Sequence, residues 1–188
     1  MRTIETKLYK FEELNTEAQE AAREKFNEGN IDFPWQEENL ESMKKGLEFY
    51  GFKLKDYSFD YYCATSGNFQ IKSTHYEDEV EELSGARLYK YLLNNFSTYR
   101  CQYTKEQKET LSGNCPFTGY CVDENFLDPI REFMKLPTEI TFMELMEESV
   151  HAVAKAIEND YEHSQTMEYF KDHAEANELE FTKEGEQY

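Results

Sequence analysis

Residues 142–161, FMELMEESVHAVAKAIENDY, are the stretch that decides the fold. Apolar side chains recur in it every three or four residues, which is the spacing of one face of an α-helix. Thr138 or Thr141 can cap the start of this helix. The sequence therefore predicts a helix over about 142–161 that buries one stripe in a core. The residues of this stripe are Met143, Met146, Val150, Val153 or Ala154, and Ile157.

Two runs rich in aromatic and β-branched residues, 52–63 and 69–75, flank the turn-forming tract ATSGN at 64–68. This arrangement predicts a β-hairpin. Residues 3–11 alternate as a strand does, and residues 179–182 could return beside them. We expect one α+β domain over 1–188. Its small, mostly antiparallel sheet consists of the N-terminal strand, the central hairpin and the C-terminal strand, and about five helices pack against it.

The charge balance limits the classes of function. The 188 residues include 20 Lys and Arg against 39 Asp and Glu, a net charge of −19, and 15% of them are aromatic. An acidic disordered chain would be poor in aromatics. Sequence-independent binding of nucleic acid needs clustered basic residues, so we expect no direct binding to DNA or RNA. No apolar run could span a membrane and no signal peptide is recognised, so we expect a cytoplasmic protein.

The four cysteines do not indicate a disulfide framework or a zinc site. They lie at Cys63, Cys101, Cys115 and Cys121. Reduced thiols are the usual state in a cytoplasmic protein. Zinc ligands usually come in pairs with two to four intervening residues, whereas Cys115 and Cys121 have five between them. We therefore expect the cysteines to act as small apolar side chains.

Two acid–histidine pairs are candidates for chemistry. Glu148 and His151 are three residues apart, and Asp160 and His163 repeat that spacing. On one straight helix the two pairs would be separated by about 18 Å, so they could not share a metal ion. We expect no metal, no cofactor and no catalytic residue. A hydrolase that uses a cysteine such as Cys63, or a metal, is the enzymatic alternative.

The acidic charge is unevenly distributed. Residues 51–100 carry six positive and seven negative charges, and the excess of acid lies in the predicted helices outside them. Rows of carboxylates on helices can imitate the phosphates of nucleic acid and occupy a basic groove. Aromatic side chains can anchor such an interface. The candidate contact residues are Asp78, Glu79, Glu81, Glu82, Glu144, Glu147 and Glu148, with Tyr57 and Tyr61 as aromatic anchors.

Both ends of the chain carry a resemblance. Residues 3–14, TIETKLYKFEEL, followed by EAQEAA at 17–22, and residues 175–185, EANELEFTKEG, resemble a group of small acidic phage and prophage proteins. The stretch 59–69 is similar in position. The group has no settled activity, so the resemblance implies no catalytic residue. It implies a phage protein made inside a bacterium, and such proteins often act on host machinery.

The first hypothesis is a non-enzymatic phage protein that binds and inhibits a bacterial anti-phage defence, or another host complex that acts on nucleic acid. Its acidic surfaces would meet a basic surface of that complex. The alternative is a binder that sequesters a nucleotide signal near the lysines and arginine of the nearly neutral segment. The residues near which the nucleotide would bind are Lys53, Lys55, Lys72 and Arg87. The oligomeric state of the protein stays open, with a dimer among the possibilities.

Overall fold

The computed structural model describes residues 7–29, 35–58, 68–75, 79–96 and 122–188. Within these ranges the chain forms six α-helices and a two-stranded antiparallel sheet, which confirms the predicted α+β fold. A short 3-10 helix, Phe11–Glu13, precedes the first α-helix. In chain order the elements are α1 (Thr16–Gly29), α2 (Trp35–Phe49), β1 (Phe52–Ser58), β2 (Asn68–Ser73), α3 (Gly85–Asn95), α4 (Val122–Lys135), α5 (Phe142–Ser164) and α6 (Met167–Ala176).

These elements fall into two compact units. The terminal unit contains the described residues within 1–34 and 159–188, and the central unit contains those within 35–158. Each unit has a hydrophobic cluster of its own. The expectation of a single domain over 1–188 stays a prediction.

The central unit is organised around the apolar stripe of α5, as its periodicity predicts. Met146, Val150 and Val153 are buried as predicted, whereas Met143 is only partly buried and Phe142, the first residue of the helix, begins the stripe in its place. The ring of Phe142 packs edge-to-face on Phe52, with 4.8 Å between centroids. Helices α2, α3 and α4 contribute the rest of this core. Their fully buried side chains include Met43, Leu47, Leu88, Leu92 and Ile130.

The two strands of the predicted hairpin are confirmed as the antiparallel pair β1–β2, and the predicted turn lies outside the described residues except for Asn68. Phe52 pairs with Ser73, and Leu54 with Ile71, before a β-bulge between Leu54 and Asp56 shifts the register. Phe52 is fully buried, and Leu54 and Ile71 pack against the core of the central unit. One face of the hairpin therefore covers the core, and the other face points away from it.

The predicted N- and C-terminal strands are not confirmed. In the described part of the chain they are reduced to isolated bridges that join Phe181 to Tyr9 and to Gln187, outside the β1–β2 sheet. Phe11 already belongs to the 3-10 helix, and a turn joins Thr182 to Gly185. Residues 3–6 of the predicted N-terminal strand lie outside the described residues. The bridge still closes the terminal unit, because Tyr9 and Phe181 exchange two backbone hydrogen bonds of 2.9 Å.

Two helix boundaries differ from the sequence-based expectation. Acidic residues followed by apolar residues at helical spacing predict a helix from about Asp78 to Phe96, but the helix begins only at Gly85, and residues 79–82 form a hydrogen-bonded turn instead. Because proline suits the first turn of a helix, Pro129 predicts a helix that starts near Asp128. In the structure this helix begins at Val122 and contains Pro129 in its interior. An interior proline costs a helix about 3 kcal/mol. Burial of Phe126 and Ile130 on either side of it can offset that cost.

The terminal unit has a small aromatic core. Phe11 packs edge-to-face on Phe170 of α6, with 5.1 Å between ring centroids, and both rings also contact Phe181. Ala18 and Ala22 bring one face of α1 against these rings. Small side chains on that face permit the close approach.

Candidate acidic interface

The first turn of α5 is joined to the turn at residues 79–84. The backbone N–H of Phe142 donates to the carbonyl of Leu83, and that of Met143 donates to the carbonyl of Glu81, at 2.9 and 3.0 Å. Ser84 and Thr141 form an isolated antiparallel bridge at the same place. Val80 anchors the turn because its side chain is buried in the core. The turn therefore lies at the N-terminal end of α5.

This connection brings together most of the acidic residues that the sequence analysis selected. Glu79, Glu81 and Glu82 are in the turn, and Glu144, Glu147 and Glu148 are in the first two turns of α5. Asp78 lies outside the described residues. We call these six residues, together with Glu139, the acidic end of α5.

Glu139 is a site residue that the sequence analysis missed. Its carboxylate lies over the start of α3, where Oε1 is 3.0 Å from the position that a Cβ on Gly85 would occupy. With Glu144, Glu147 and Glu148 it lines an open groove of about 740 Å³, which His151 also borders. Its place just before α5 follows from the sequence, but its position over Gly85, 54 residues earlier in the chain, depends on the tertiary structure.

Glu144 is held in a capping box. Its carboxylate accepts hydrogen bonds from the backbone N–H and the hydroxyl of Thr141, both at 2.8 Å. In return, the backbone N–H of Glu144 donates to the Thr141 hydroxyl. This confirms Thr141 as the residue that caps the helix. The two hydrogen bonds from Thr141 hold the pKa of Glu144 below its ordinary value, and the bond from the backbone N–H has the larger effect. The carboxylate is therefore charged at neutral pH.

The carboxylates of the acidic end have no basic partner among the described residues. None of the seven forms an ion pair in those ranges. Glu48 and Glu124 of this unit are unpaired there as well, whereas four other acids pair with a lysine or arginine three residues away. These pairs are Glu41–Lys44, Asp128–Arg131, Glu132–Lys135 and Lys155–Glu158. The negative charge of the acidic end is therefore not neutralised within the described part of the unit.

The aromatic candidates are not part of this arrangement. Tyr57 lies in β1 with 42% of its surface exposed, and its ring stacks on Phe69. The ammonium group of Lys44 lies 5.6 Å from the centre of the same ring. Tyr61 lies outside the described residues. The role of either tyrosine as an anchor stays a prediction.

The candidates for chemistry are only partly described. All four cysteines, Cys63, Cys101, Cys115 and Cys121, lie outside the described residues. Glu148 and His151 both border the acidic groove. Among the residues that the structure describes, no group of three or more His, Cys, Asp or Glu side chains could hold a metal ion.

A second cavity, of about 360 Å³, lies in the terminal unit beside Phe11 and α6. Its two lysines are engaged with neighbouring oxygens. Lys171 forms an ion pair with Glu12, which lowers the pKa of that carboxyl and raises the pKa of the lysine. Lys10 donates to the Glu178 carbonyl at 3.0 Å. The cavity therefore offers an anionic nucleotide little free positive charge.

No protein-family model matches this chain, and no curated protein or solved structure matches it. Within the described residues, no helix is both long enough and apolar enough to cross a membrane.

Proposed function

We propose that this protein binds and inhibits a bacterial complex that acts on nucleic acid, by placing the acidic end of α5 on a basic surface of that complex. The supporting observation is the meeting of two acidic segments, around residues 79–82 and 139–148, with no basic partner in the described residues. A groove that binds nucleic acid carries clustered Lys and Arg to neutralise phosphates. Uncompensated carboxylates can occupy it in their place.

The spacing of the carboxylates supports this mechanism. Glu144 and Glu147 are separated by about 4.5 Å along the helix axis, and Glu144 and Glu148 by about 6 Å. Phosphates follow one strand of duplex DNA at about 3.4 Å per residue along its axis. The helix therefore presents negative charge at an axial density of the same order. Since helix α5 is anchored by its buried stripe, the backbone that carries these carboxylates is ordered before binding.

The proposed mechanism is occlusion without catalysis, in the cytoplasm of a bacterial host. The resemblance of the two chain ends to small acidic phage proteins directs the choice of partner to anti-phage defences and other host complexes. The acidic end would compete with the nucleic acid that the complex normally binds. Binding to a basic surface should weaken steeply as salt screens the charges.

The test is a pull-down of the tagged full chain from nuclease-treated host lysate, eluted with a salt gradient and identified by mass spectrometry. The test variant carries Glu144→Gln, Glu147→Gln and Glu148→Gln. Glutamine keeps the shape and an acceptor oxygen for Thr141 but removes the charge. We expect the wild-type chain to retain one nucleic-acid-binding complex that is released at moderate salt. We expect the variant to release it at distinctly lower salt.

A matched control variant carries three substitutions on α1 of the terminal unit. These are Glu20→Gln, Glu24→Gln and Glu28→Gln, which are exposed and have no ion pair in the described residues. The control loses the same net charge, so we expect it to behave as the wild type. Equal elution of all three proteins would show that the acidic end is not the contact. Recovery of no partner, with a nucleotide released on denaturation, would favour sequestration instead.

A further inference from the structure

The hairpin carries a cluster of positive charge that the net charge of the chain conceals. The register places Lys53 of β1 directly opposite Lys72 of β2, on the face that points away from the core. Lys55 lies in the β-bulge next to them, and all three side chains are exposed. We call Lys53, Lys55 and Lys72 the lysine face.

The lysine face keeps a net positive charge. None of its three lysines forms an ion pair within the described residues, although Asp56, which pairs with Gln70, lies on the same outward face. Like charges directly opposite each other on two strands destabilise a sheet by about 0.2–1 kcal/mol. In a chain with 39 acidic residues, a carboxylate opposite Lys53 would relieve this repulsion. The arrangement therefore suits a negatively charged partner.

The side chains favour phosphate over a protein carboxylate. Lysine is depleted in protein–protein interfaces, where arginine is enriched, and the face contains no arginine. Lysine binds phosphate as a compact point charge. Tyr57 and Phe69 pair with each other on the opposite side of the hairpin, so the lysine face itself presents no aromatic ring on which a base could stack. These features fit a duplex backbone better than unpaired bases.

We propose that the lysine face binds the phosphate backbone of a nucleic-acid duplex. This inference goes beyond the proposed function, and it reverses the expectation of no direct nucleic-acid binding that the acidic composition suggested. Repulsion between the acidic chain and DNA is screened beyond about 8 Å at physiological salt, so short-range contacts at the lysine face can persist.

The test needs no host partner. A fluorescent DNA duplex of about 20 base pairs is titrated with the full chain, and its anisotropy is measured at several salt concentrations. Three phosphate contacts predict a fall in affinity of about 40-fold between 50 and 200 mM salt, from a slope of about −2.7. In the variant Lys53→Gln/Lys72→Gln we expect weaker binding and a fall of only about three- to fourfold over the same range.

The control variant, Lys135→Gln/Lys155→Gln, loses the same charge from two lysines that already pair with Glu132 and Glu158. It should bind the duplex as the wild type does. The proposal would be overturned if the two variants bound the duplex equally well, or if the wild type did not bind it at low salt. The lysines would then serve only to prevent the two edge strands from pairing with another chain. Equally tight binding of poly-glutamate would instead assign the face to an acidic protein. A failed pull-down would affect only the acidic end.

Discussion

Substitution of Gly51 by alanine should destabilise the central unit by clashing with the imidazole ring of His75. Gly51 joins α2 to β1 and has a φ of +76°, in the left-handed region that glycine adopts most easily. A Cβ at this position would lie 2.4 Å from Cε1 and 2.6 Å from Nε2 of His75. Real side chains do not approach so closely, so the ring has to move.

The ring of His75 has little freedom to move. Its Nε2 donates a hydrogen bond of 3.0 Å to the Tyr50 carbonyl, and it packs against Phe52 and Phe142, with 5.5 and 5.9 Å between centroids. The left-handed backbone costs alanine about 1–2 kcal/mol. Loss of the hydrogen bond costs about 0.5–1.5 kcal/mol, and an off-rotamer ring a similar amount. We therefore expect Gly51→Ala to lower the free energy of unfolding by about 2–5 kcal/mol.

A double-mutant cycle separates the clash from the backbone term. In the His75→Ala background there is no ring to displace, so Gly51→Ala should cost only the backbone term of about 1–2 kcal/mol. The assay is urea unfolding, followed by the fluorescence of Trp35 and by far-UV circular dichroism. Trp35 is the only tryptophan of the chain and belongs to the central unit.

The coupling between the two substitutions decides the outcome. A cost of Gly51→Ala that is the same in both backgrounds would refute the contact between Gly51 and the His75 ring. A cost near zero in the wild-type background would refute the left-handed backbone as well. The contact matters for the lysine face, because it fixes the return of β2 against the end of α2, where the Thr74 N–H also donates to the Gly51 carbonyl at 2.8 Å.

Four further predictions concern the terminal unit, the helix cap and the hairpin. Gly185→Ala should destabilise the terminal unit more than Gly51→Ala destabilises the central unit. The added Cβ would lie 2.2 Å from the backbone oxygen of Ala18, which cannot rotate away as a side chain can. Amide hydrogen exchange of α1 and α6 measures the loss of stability. Thr141→Ala should cost about 1 kcal/mol in urea unfolding through loss of the N-cap. The pKa of Glu144 is lowered in the folded state from its ordinary value of 4.5. Its ionisation therefore stabilises the fold above that value, and the stabilisation is lost as pH falls through the folded pKa. In the variant Glu144→Gln, the free energy of unfolding should no longer show this contribution to its fall at acid pH. Lys53→Glu should raise the free energy of unfolding by about 0.5–1 kcal/mol, because it replaces a like-charged cross-strand pair with an opposite one, and a decrease would contradict the register.

Local patterns were sufficient for the elements whose period is regular. The stripe of α5 and the two strands of the hairpin follow from spacings of 3.6 and 2 residues, which any local window of the sequence contains. Pro129 misled the prediction of α4 because the same residue suits both a first turn and a kinked interior. Only the burial of Phe126 and Ile130 in the core decides between them, and burial depends on neighbours that are distant in the chain.

The acidic end of α5 also depends partly on the local sequence and partly on the tertiary structure. The amino-acid sequence by itself determined which residues are acidic and that Glu144, Glu147 and Glu148 share a helix face. It could not place residues 79–82 beside them, because that depends on backbone hydrogen bonds between Glu81 and Met143.

The positive charge of the hairpin was also visible in the sequence only as composition. Lys53 and Lys72 become neighbours through the β1–β2 register, which pairs residues 19 positions apart. Charge and periodicity are properties of the local sequence, so they can be read from it directly. The pairing of distant segments is a property of the packed core, since burial of Val80, Phe52 and Phe142 selects one arrangement of backbone partners. The tertiary structure alone therefore decided that this acidic chain carries two surfaces of opposite charge.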